Sequence, residues 1–257
     1  MLENVKGLVI RSVDIRETDR LITIYTEEMG VVTALARGAR SLKSRNMSAT
    51  LPFCYSKFVL YKRGENYTVK ESELIESFFD IRRSIEGLAL ASYISEVLND
   101  VATAVPDKNL MRLALNSLFA IASGKYNLAL VKGAFEIRCL SILGFMPDVL
   151  SCQLCDCKDS DFYFDIMDGA LVCYDCHQRA ENVLRGAENP HESRIVMIIS
   201  SSAKTALAYA VHSPLEKLFS FTISGEDLEM FSKACELYLL NQLERSFKSL
   251  EFYHEVK

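Results

Sequence analysis

The sequence lacks the motifs that mark the common enzyme active sites. It has only four histidines in 257 residues, and it contains no H-E-x-x-H pair, no G-x-S-x-G elbow and no dinucleotide-binding glycine fingerprint. The loop around Gly38 does not qualify as an ATP phosphate loop, because that motif requires glycines where Arg37 and Leu42 stand. We therefore expect that the chain is not an enzyme.

Long hydrophobic runs are also missing from the sequence. No segment approaches the roughly 20 apolar residues that a transmembrane helix needs. Charged residues from Lys6 to Glu17 interrupt the only place for the apolar core of a secretory signal. We expect a cytoplasmic protein with no membrane partner, in which cysteines serve as thiolate ligands more often than as disulfides.

Acidic residues are absent between Glu28 and Glu65, although the whole chain carries a formal net charge of −5. A local positive field on an acidic molecule indicates a directed site for a polyanion rather than general adhesion. We predict that the seven basic residues of this interval bind DNA. They are Arg37, Arg40, Lys43, Arg45, Lys57, Lys62 and Arg63.

The first 80 residues have the pattern of a small β-barrel. Five short segments rich in Val, Ile, Tyr and Thr are separated by polar or glycine-bearing turns, which is typical of a five-stranded OB barrel. The predicted strands are residues 5–13, 21–26, 31–36, 55–62 and 66–71. If Tyr55 faces outward on the fourth strand, Tyr55, Lys57 and Tyr61 offer aromatic rings interleaved with charge, as in single-strand binders.

From residue 81 to residue 257 the apolar period becomes helical, which predicts a second, α-helical domain. Three stripes of apolar residues at helical spacing begin near Leu90, Leu110 and Leu128. A further helix is predicted at about 193–212, and a last long helix begins near 226. Ser224 and Asp227 have the spacing of a capping box at the start of that helix. The overall prediction is an α+β chain with a barrel at 1–80 and a cysteine-rich insert at about 148–180 in the helical domain.

The insert carries the sharpest motif, "CQLCDCKDSDFYFDIMDGALVCYDC". Its spacing, C-x₂-C-x₁₇-C-x₂-C, predicts one structural Zn²⁺ per chain, because each C-x-x-C turn aims two sulfurs at a single point. Residues 162–165 and 170–172 are predicted strands of a hairpin that brings the two pairs together. The predicted ligands are Cys152, Cys155, Cys173 and Cys176, with Cys157 and His177 as adjacent groups that can replace a neighbour.

Several stretches together resemble the bacterial RecO family of DNA repair and recombination mediators. They are "GLVIRSVDIRETDRLITIYTEEMGVVTALARGARSLKSR" at 7–45, "FEIRCLSILGFMP" at 135–147, the C-x-x-C pairs, and "LERSFKSLEFY" at 243–253. The resemblance spans nearly the whole chain in the expected order.

The resemblance implies a nucleoid-associated protein that acts after DNA damage and binds single- and double-stranded DNA. It implies annealing of complementary strands without ATP and help in loading RecA onto single-stranded DNA coated by the single-strand binding protein SSB. RecR and the C-terminal tail of SSB are the implied partners. An acidic tail would need an apolar groove with a nearby cation, and the third helix offers Lys132 and Arg138 for that role.

Two alternatives compete with this interpretation. A zinc-ribbon transcription factor would contact DNA through the hairpin itself, but residues 152–176 contain six aspartates and only one lysine, Lys158. A nucleotide-handling enzyme with a zinc lid would need the phosphate loop that this sequence lacks.

Overall fold

The structure is a computed structural model that describes residues 1–102, 106–185 and 194–257. The chain divides into two compact units. Unit 1 comprises Met1–Gly124 together with Phe247–Lys257, and unit 2 comprises Lys125–Ser246. The domain boundary that we predict near residue 80 stays a prediction.

Unit 1 begins with a closed five-stranded barrel, which confirms the predicted OB architecture. The strands are β1 Leu2–Asp14, β2 Arg20–Thr26, β3 Gly30–Ala36, β4 Tyr55–Arg63 and β5 Asn66–Glu76. They pair in the order β1-β2-β3-β5-β4, and β4 pairs with β1 to close the barrel. Neighbouring strands are antiparallel except β3 and β5, which are parallel.

The alternation of apolar residues explains how the barrel fills its interior. On β4, Phe58 and Leu60 are buried with Ile22, Ile24 and Val9 in one core. Because side chains alternate across a strand, the intervening residues of β4 face outward. The sequence left this orientation of the Tyr55 face open, and the structure settles it as outward.

Two helices follow in unit 1 where capping residues start them. They are α1 Ile85–Val101 and α2 Lys108–Ser123. The Ser84 hydroxyl accepts from the backbone N–H of Gly87, and the Asp107 carboxylate accepts from that of Asn109 at 2.7 Å. Each bond satisfies a donor that the first helical turn leaves unpaired. The apolar stripe from Leu90 is buried, as its period predicts.

Unit 2 combines helices with a four-stranded sheet. Its helices are α3 Leu128–Ile142, α4 Tyr174–Arg185, α5 Ser201–His212 and α6 Gly225–Leu243, and its strands are β6 Asp148–Cys152, β7 Phe162–Asp165, β8 Ala170–Cys173 and β9 Val196–Ile199. The strand order is β6-β8-β7-β9. The predicted hairpin of residues 162–165 and 170–172 is present as β7 and β8.

Two local predictions in unit 2 are wrong. The stretch predicted as helix near 193–212 contains β9, which pairs with β7 by placing Ile198 opposite Tyr163, and the helix begins only at Ser201. Residue 193 itself lies outside the described residues. The predicted capping box also fails, because Ser224 makes no side-chain cap bond and Asp227 instead accepts from the Ser200 hydroxyl at 2.6 Å.

The chain then returns to unit 1 with α7, Lys248–Val256. This helix packs against α1. The backbone N–H of Ser249 donates to the Glu96 carboxylate at 3.0 Å, and the rings of Tyr93 and Phe247 meet edge to face with centroids 5.7 Å apart. Among the described residues, no helix is long and apolar enough to cross a membrane.

Candidate metal centre and candidate nucleic-acid interface

Four cysteine sulfurs converge in unit 2. The Sγ atoms of Cys152, Cys155, Cys173 and Cys176 all lie within 4.8 Å of one another, and those of Cys155 and Cys173 are 3.6 Å apart. Four sulfurs bound at about 2.3 Å to a tetrahedral ion would stand about 3.8 Å apart. The four side chains are therefore close enough to hold one metal ion.

The electrostatics of the cluster are compatible with a bound cation. Burial raises the pKa of Cys152, but hydrogen bonds from the backbone N–H groups of Cys173 and Leu154 outweigh it and lower the pKa to about 6. Burial, together with the neighbouring sulfurs, raises the pKa of Cys176 to about 12. One thiolate is thus favoured by the backbone, whereas four together repel one another unless a cation lies between them.

Cys157 and His177 lie apart from this cluster. The Cys157 thiol donates to the backbone carbonyl of Asp159 at 3.3 Å, and the His177 ring stacks on Tyr163 with centroids 3.9 Å apart. The four-cysteine set fills a tetrahedral shell by itself. A shell closed in this way leaves no position for water or substrate, which is the form of a structural site.

The sheet and α4 place three of the four ligands, and Cys155 lies in the turn that follows β6. Cys152 ends β6, Cys173 ends β8 and Cys176 lies in the first turn of α4. The turn between β7 and β8 requires glycine at position 169, where φ is +64° and a side chain would collide with the ring of Tyr238. The short hairpin can therefore bring the two C-x-x-C pairs together without strain at this turn.

The basic loop, residues 37–46, follows β3 on unit 1. Arg37, Lys43 and Arg45 are exposed, and within the described part of the chain they make no hydrogen bond or ion pair. Their charges are therefore free to meet an anion from solvent. Several unpaired cations on one short loop suit a polyanion such as a nucleic acid backbone better than a single small anion.

The turn between β1 and β2 holds this loop in place. The Asp19 carboxylate accepts from the backbone N–H of Gly38 at 2.8 Å, and the Thr18 carbonyl accepts from that of Arg40 at 2.9 Å. Gly38 has φ +63°, a conformation that favours glycine. Asp19 and the Thr18 carbonyl thus support the loop, a role that the sequence does not reveal without the pairing of β1 with β2.

Arg40 differs from its basic neighbours because it is already paired. Its Nε lies 3.1 Å from Asp14, and its Nη1 donates to the Arg16 carbonyl at 2.9 Å. Asp14 also binds Arg20 at 3.1 Å, and Arg20 reaches the Met47 carbonyl at 3.2 Å. Arg40 therefore helps to fix the loop, and part of its charge is compensated.

Lys57 lies in a different electrostatic environment from the loop. Its ammonium is 3.0 Å from the carboxylate of Glu73. On the same outer face, the Tyr55 hydroxyl donates to Glu27, and burial together with this carboxylate raises the pKa of Tyr55. A groove of 350 Å³ beside Lys57 is lined by three glutamates, among them Glu28. The structure thus does not join Lys57 to the loop in one positive surface.

The end of the β4–β5 hairpin carries further exposed cations. Lys62 lies over the ring of Tyr67 at 5.4 Å from its centroid, and Arg63 is exposed beside it. Lys70 lies over the ring of Tyr61 at 5.2 Å. Sequence reasoning missed Lys70, because it follows Glu65 and so lies beyond the acid-free interval. The segment "NYTVK" at 66–70 carries a signal that could have found it, an aromatic and a basic residue in one strand.

The two cations predicted for partner binding lie in unit 2 and are both engaged. Lys132 is 1% exposed, and its ammonium lies 2.9 Å from Glu136 and 2.7 Å from Glu236. The half-buried Arg138 donates to the backbone carbonyl of Ala210 at 2.8 Å, and burial lowers its pKa. A peptide role for them stays a prediction, and their observed contacts tie α3 to α5 and α6.

Replacing Lys132 by methionine should destabilise unit 2 by roughly 3–5 kcal/mol, because two carboxylates would stay buried without their cation. Burial alone lowers the pKa of Lys132, but Glu136 and Glu236 raise it above the ordinary 10.5. The stabilisation that the Lys132 ammonium gives to the folded state is therefore fully present below pH 10.5. It is lost as pH rises through the higher pKa of the folded state. Urea denaturation at neutral pH measures the loss of stability. The control is Lys233→Met, on the exposed face of α6. Equal unfolding midpoints for the two variants would contradict the expectation.

Two family models match successive parts of the chain. Residues 1–78 match the family model described as recombination protein O N terminal, and residues 82–251 match recombination protein O C terminal. The chain is 36% identical to a DNA repair protein RecO of Acetivibrio thermocellus, over 96% of this chain and 94% of that protein. It is 30% identical to a DNA repair protein RecO of Desulforamulus reducens, over 96% and 91%. It is 28% identical to a DNA repair protein RecO of Alkaliphilus metalliredigens, over 100% of this chain and 100% of that protein.

Proposed function

Because the chain belongs to the RecO family of DNA repair proteins, we propose that it is a recombination mediator that anneals complementary DNA strands without ATP. In this proposal it binds single- and double-stranded DNA through the basic loop on the barrel. It then helps to load RecA onto single strands coated by SSB, at the bacterial nucleoid.

The observation that carries the proposal is the set of free cations on the supported loop. Arg37, Lys43 and Arg45 are exposed and unpaired within the described residues, while Asp19 and Arg40 hold the loop backbone. Annealing breaks no covalent bond. It requires that phosphate charge be neutralised so that two polyanions approach with their bases free to pair, and a loop of unpaired cations provides that neutralisation.

We further propose that the metal held by the four cysteines is Zn²⁺. A set of four thiolates selects zinc or an iron–sulfur cluster, and the C-x₂-C pairs at this spacing are typical of a structural zinc site. When bound, the ion would cross-link β6, β8 and α4 through their cysteines. The aspartates around the cysteines repel phosphate, so DNA contact is proposed for the barrel and not for the hairpin.

RecR and the C-terminal tail of SSB belong to the proposal as partners, with RecA reached indirectly. Support for them comes from family membership. Of the two cations that we predict for the SSB tail, the half-buried Arg138 is the more accessible, because Lys132 is enclosed by carboxylates. Contact of an acidic tail with Lys132 would require α3 and α6 to separate.

The test is annealing of two complementary oligonucleotides with the purified full chain, without nucleotide or added metal. We expect annealing to accelerate over the protein-free rate and the acceleration to weaken steeply as salt increases. Repetition with SSB-coated strands tests the mediator role. Failure to accelerate annealing of bare strands, together with nucleotide turnover or strand cleavage, would refute the proposal in favour of an enzyme.

A further inference from the structure

The four cysteines of the metal centre differ in how far solvent reaches them. Cys152 is 0% exposed, Cys173 3% and Cys176 6%, whereas Cys155 is exposed. Its neighbour Leu154 is 61% exposed, and every residue from 153 to 156 lies open to solvent. A small molecule from solvent can therefore reach Cys155 directly, while the other three ligands are covered by the protein.

The buried sulfurs are also covered by hydrogen-bond donors. The Cys173 backbone N–H donates to the Cys152 sulfur at 3.3 Å. The Arg179 guanidinium donates to the Cys176 sulfur at 3.6 Å. These donors lie over sulfurs that burial already shields, so Cys155 is the ligand that a reagent from solvent meets first.

A fifth cysteine, Cys157, lies beside this open ligand. It is partly exposed, and its sulfur donates to the Asp159 carbonyl at 3.3 Å. Its backbone N–H donates to the Cys155 sulfur, and its carbonyl accepts from the Cys152 N–H at 2.8 Å. The Cys157 backbone is thus fixed next to Cys155. A rotation about the Cα–Cβ bond, which takes picoseconds to nanoseconds in an exposed residue, turns its sulfur from Asp159 toward Cys155.

The backbone between the two cysteines has the turn that a bond between them needs. Asp156 has φ +57°, which for a residue other than glycine lies in the left-handed helical region. A residue of helical geometry brings the Cα atoms of its two neighbours to about 5.4 Å from each other. A disulfide requires Cα atoms roughly 4.4–6.8 Å apart. Cys155 and Cys157 therefore meet this requirement without movement of the chain.

We propose that Cys155 and Cys157 form an oxidant-sensitive site, which a hydroperoxide converts to a disulfide with release of the metal ion. The inference rests on the proposed Zn²⁺ centre and goes beyond the proposed DNA-binding function. A cysteine that binds a metal is deprotonated, and the thiolate is the form that reacts with oxidants. The proposal gives a role to Cys157, which the four-cysteine ligand set does not use.

Oxidation consists of two bond exchanges. The Cys155 thiolate attacks one oxygen of the hydroperoxide. A sulfur–oxygen bond forms, the oxygen–oxygen bond breaks, and hydroxide or an alkoxide leaves with the electron pair, so that Cys155 becomes a sulfenic acid. The Cys157 sulfur then attacks the Cys155 sulfur, the sulfur–oxygen bond breaks, and the hydroxyl group leaves with the thiol proton as water. In total, two electrons pass from the two sulfurs to the hydroperoxide.

The disulfide removes Cys155 from the ligand set. Three thiolates then remain where a closed structural site has four ligands, and the affinity for the metal falls. Release of the ion unlinks β6, β8 and α4, because each of them carries one of the three remaining cysteines. A dithiol reductant returns two electrons to the disulfide, and the centre forms again when Zn²⁺ is supplied.

The test treats the zinc-loaded full chain with hydrogen peroxide and follows zinc release with a chromogenic chelator. Trypsin cleaves after Lys158, so a bond between Cys155 and Cys157 stays within the peptide 139–158. A bond from Cys155 to Cys173 would instead join that peptide to 159–179. We expect release of close to one equivalent of zinc, together with a peptide 139–158 that is lighter by two hydrogen atoms. Cys235, which is 0% exposed, should stay reduced and serves as internal control.

Cys157→Ser separates the role of the second sulfur from that of the ligand set. The variant should bind zinc like the wild type before oxidation. After peroxide treatment its Cys155 should stay a sulfenic acid that dimedone traps, and should then pass to the sulfinic acid, which dithiothreitol does not reduce. Dithiothreitol with Zn²⁺ should therefore restore nearly all of the metal in the wild type and little in the variant. Cys54→Ala, at a cysteine of unit 1 that is 2% exposed, is the matched control and should recover fully.

Three results would overturn the proposal. They are retention of zinc at a peroxide concentration that oxidises Met146, a cross-link between peptides 139–158 and 159–179, and full recovery of the Cys157→Ser variant. Met146 is 59% exposed and lies in the same peptide, so its oxidation shows that the reagent has acted. A purified chain without metal would refute the proposed Zn²⁺ centre itself. DNA binding by the barrel is measured separately and does not depend on either outcome.

Discussion

A chain in which Arg37, Lys43 and Arg45 are all changed to glutamate should bind DNA at least about a hundredfold more weakly than the wild type. The three cations are exposed and unpaired within the described residues, so their replacement removes phosphate contacts and adds repulsion. The slope of log affinity against log salt on duplex DNA should fall by roughly 2.7, about 0.9 for each cation removed. Fluorescence anisotropy over a salt series measures both quantities, and strand annealing should fall with them.

Arg40 is left unchanged in this variant for a structural reason. It pairs with Asp14 and the Arg16 carbonyl, so its reversal would displace the loop as well as change its charge. A matched control reverses Lys108, Lys233 and Lys248, three exposed lysines on helices. It has the same net charge as the loop variant, so equal losses in both would show a general charge effect and contradict a loop-specific site.

Cys173→Ser should abolish metal binding and unfold the sheet of unit 2. The apparent free energy of a structural zinc site is about 10–16 kcal/mol at neutral pH, far more than a four-stranded sheet of short strands supplies by itself. Metal analysis of the purified protein should give one equivalent in the wild type and none in the variant. Amide hydrogen exchange should show loss of protection in β7 and β8, while oligothymidylate binding by the barrel stays within about twofold.

Cys157→Ser is the matched control for this experiment. It removes a cysteine from the same segment, but its sulfur contacts the Asp159 carbonyl and not the cluster. We expect it to keep one equivalent of metal and the wild-type exchange pattern. Loss of metal from the Cys157 variant with retention in the Cys173 variant would show that the ligand set has been assigned wrongly. Because ligating thiols must lose their protons, metal affinity in the wild type should fall as pH falls.

Features that depend on local pattern were predictable from the sequence. The five barrel strands follow from apolar alternation between turns, and α1 to α3 follow from stripes of helical period. The convergence of the four cysteines follows from their spacing. The short run Val196–Ile199 was misassigned, because four apolar residues have no period that separates a strand from a helix. Its partner β7 lies about 30 residues earlier in the chain.

Features that depend on pairing between distant segments were not predictable. The isolation of Lys57 from the basic loop results from the register of β4 with β5, which places Glu73 opposite it. The burial of Lys132 results from the packing of α3 against α6, where Glu236 meets it.

The return of α7 to unit 1 has a consequence for how the protein is made. The support that α7 gives to α1, through Glu96 and Tyr93, is absent until residues 247–257 have left the ribosome. At a synthesis rate of about 5–20 residues per second, the roughly 120 residues of unit 2 delay it by roughly 6–24 s. During that interval the nascent barrel and α1 await their final helix. A chain truncated anywhere in unit 2 therefore carries the barrel and its basic loop on a unit that lacks α7, and we expect proteases to cleave it faster than the full chain.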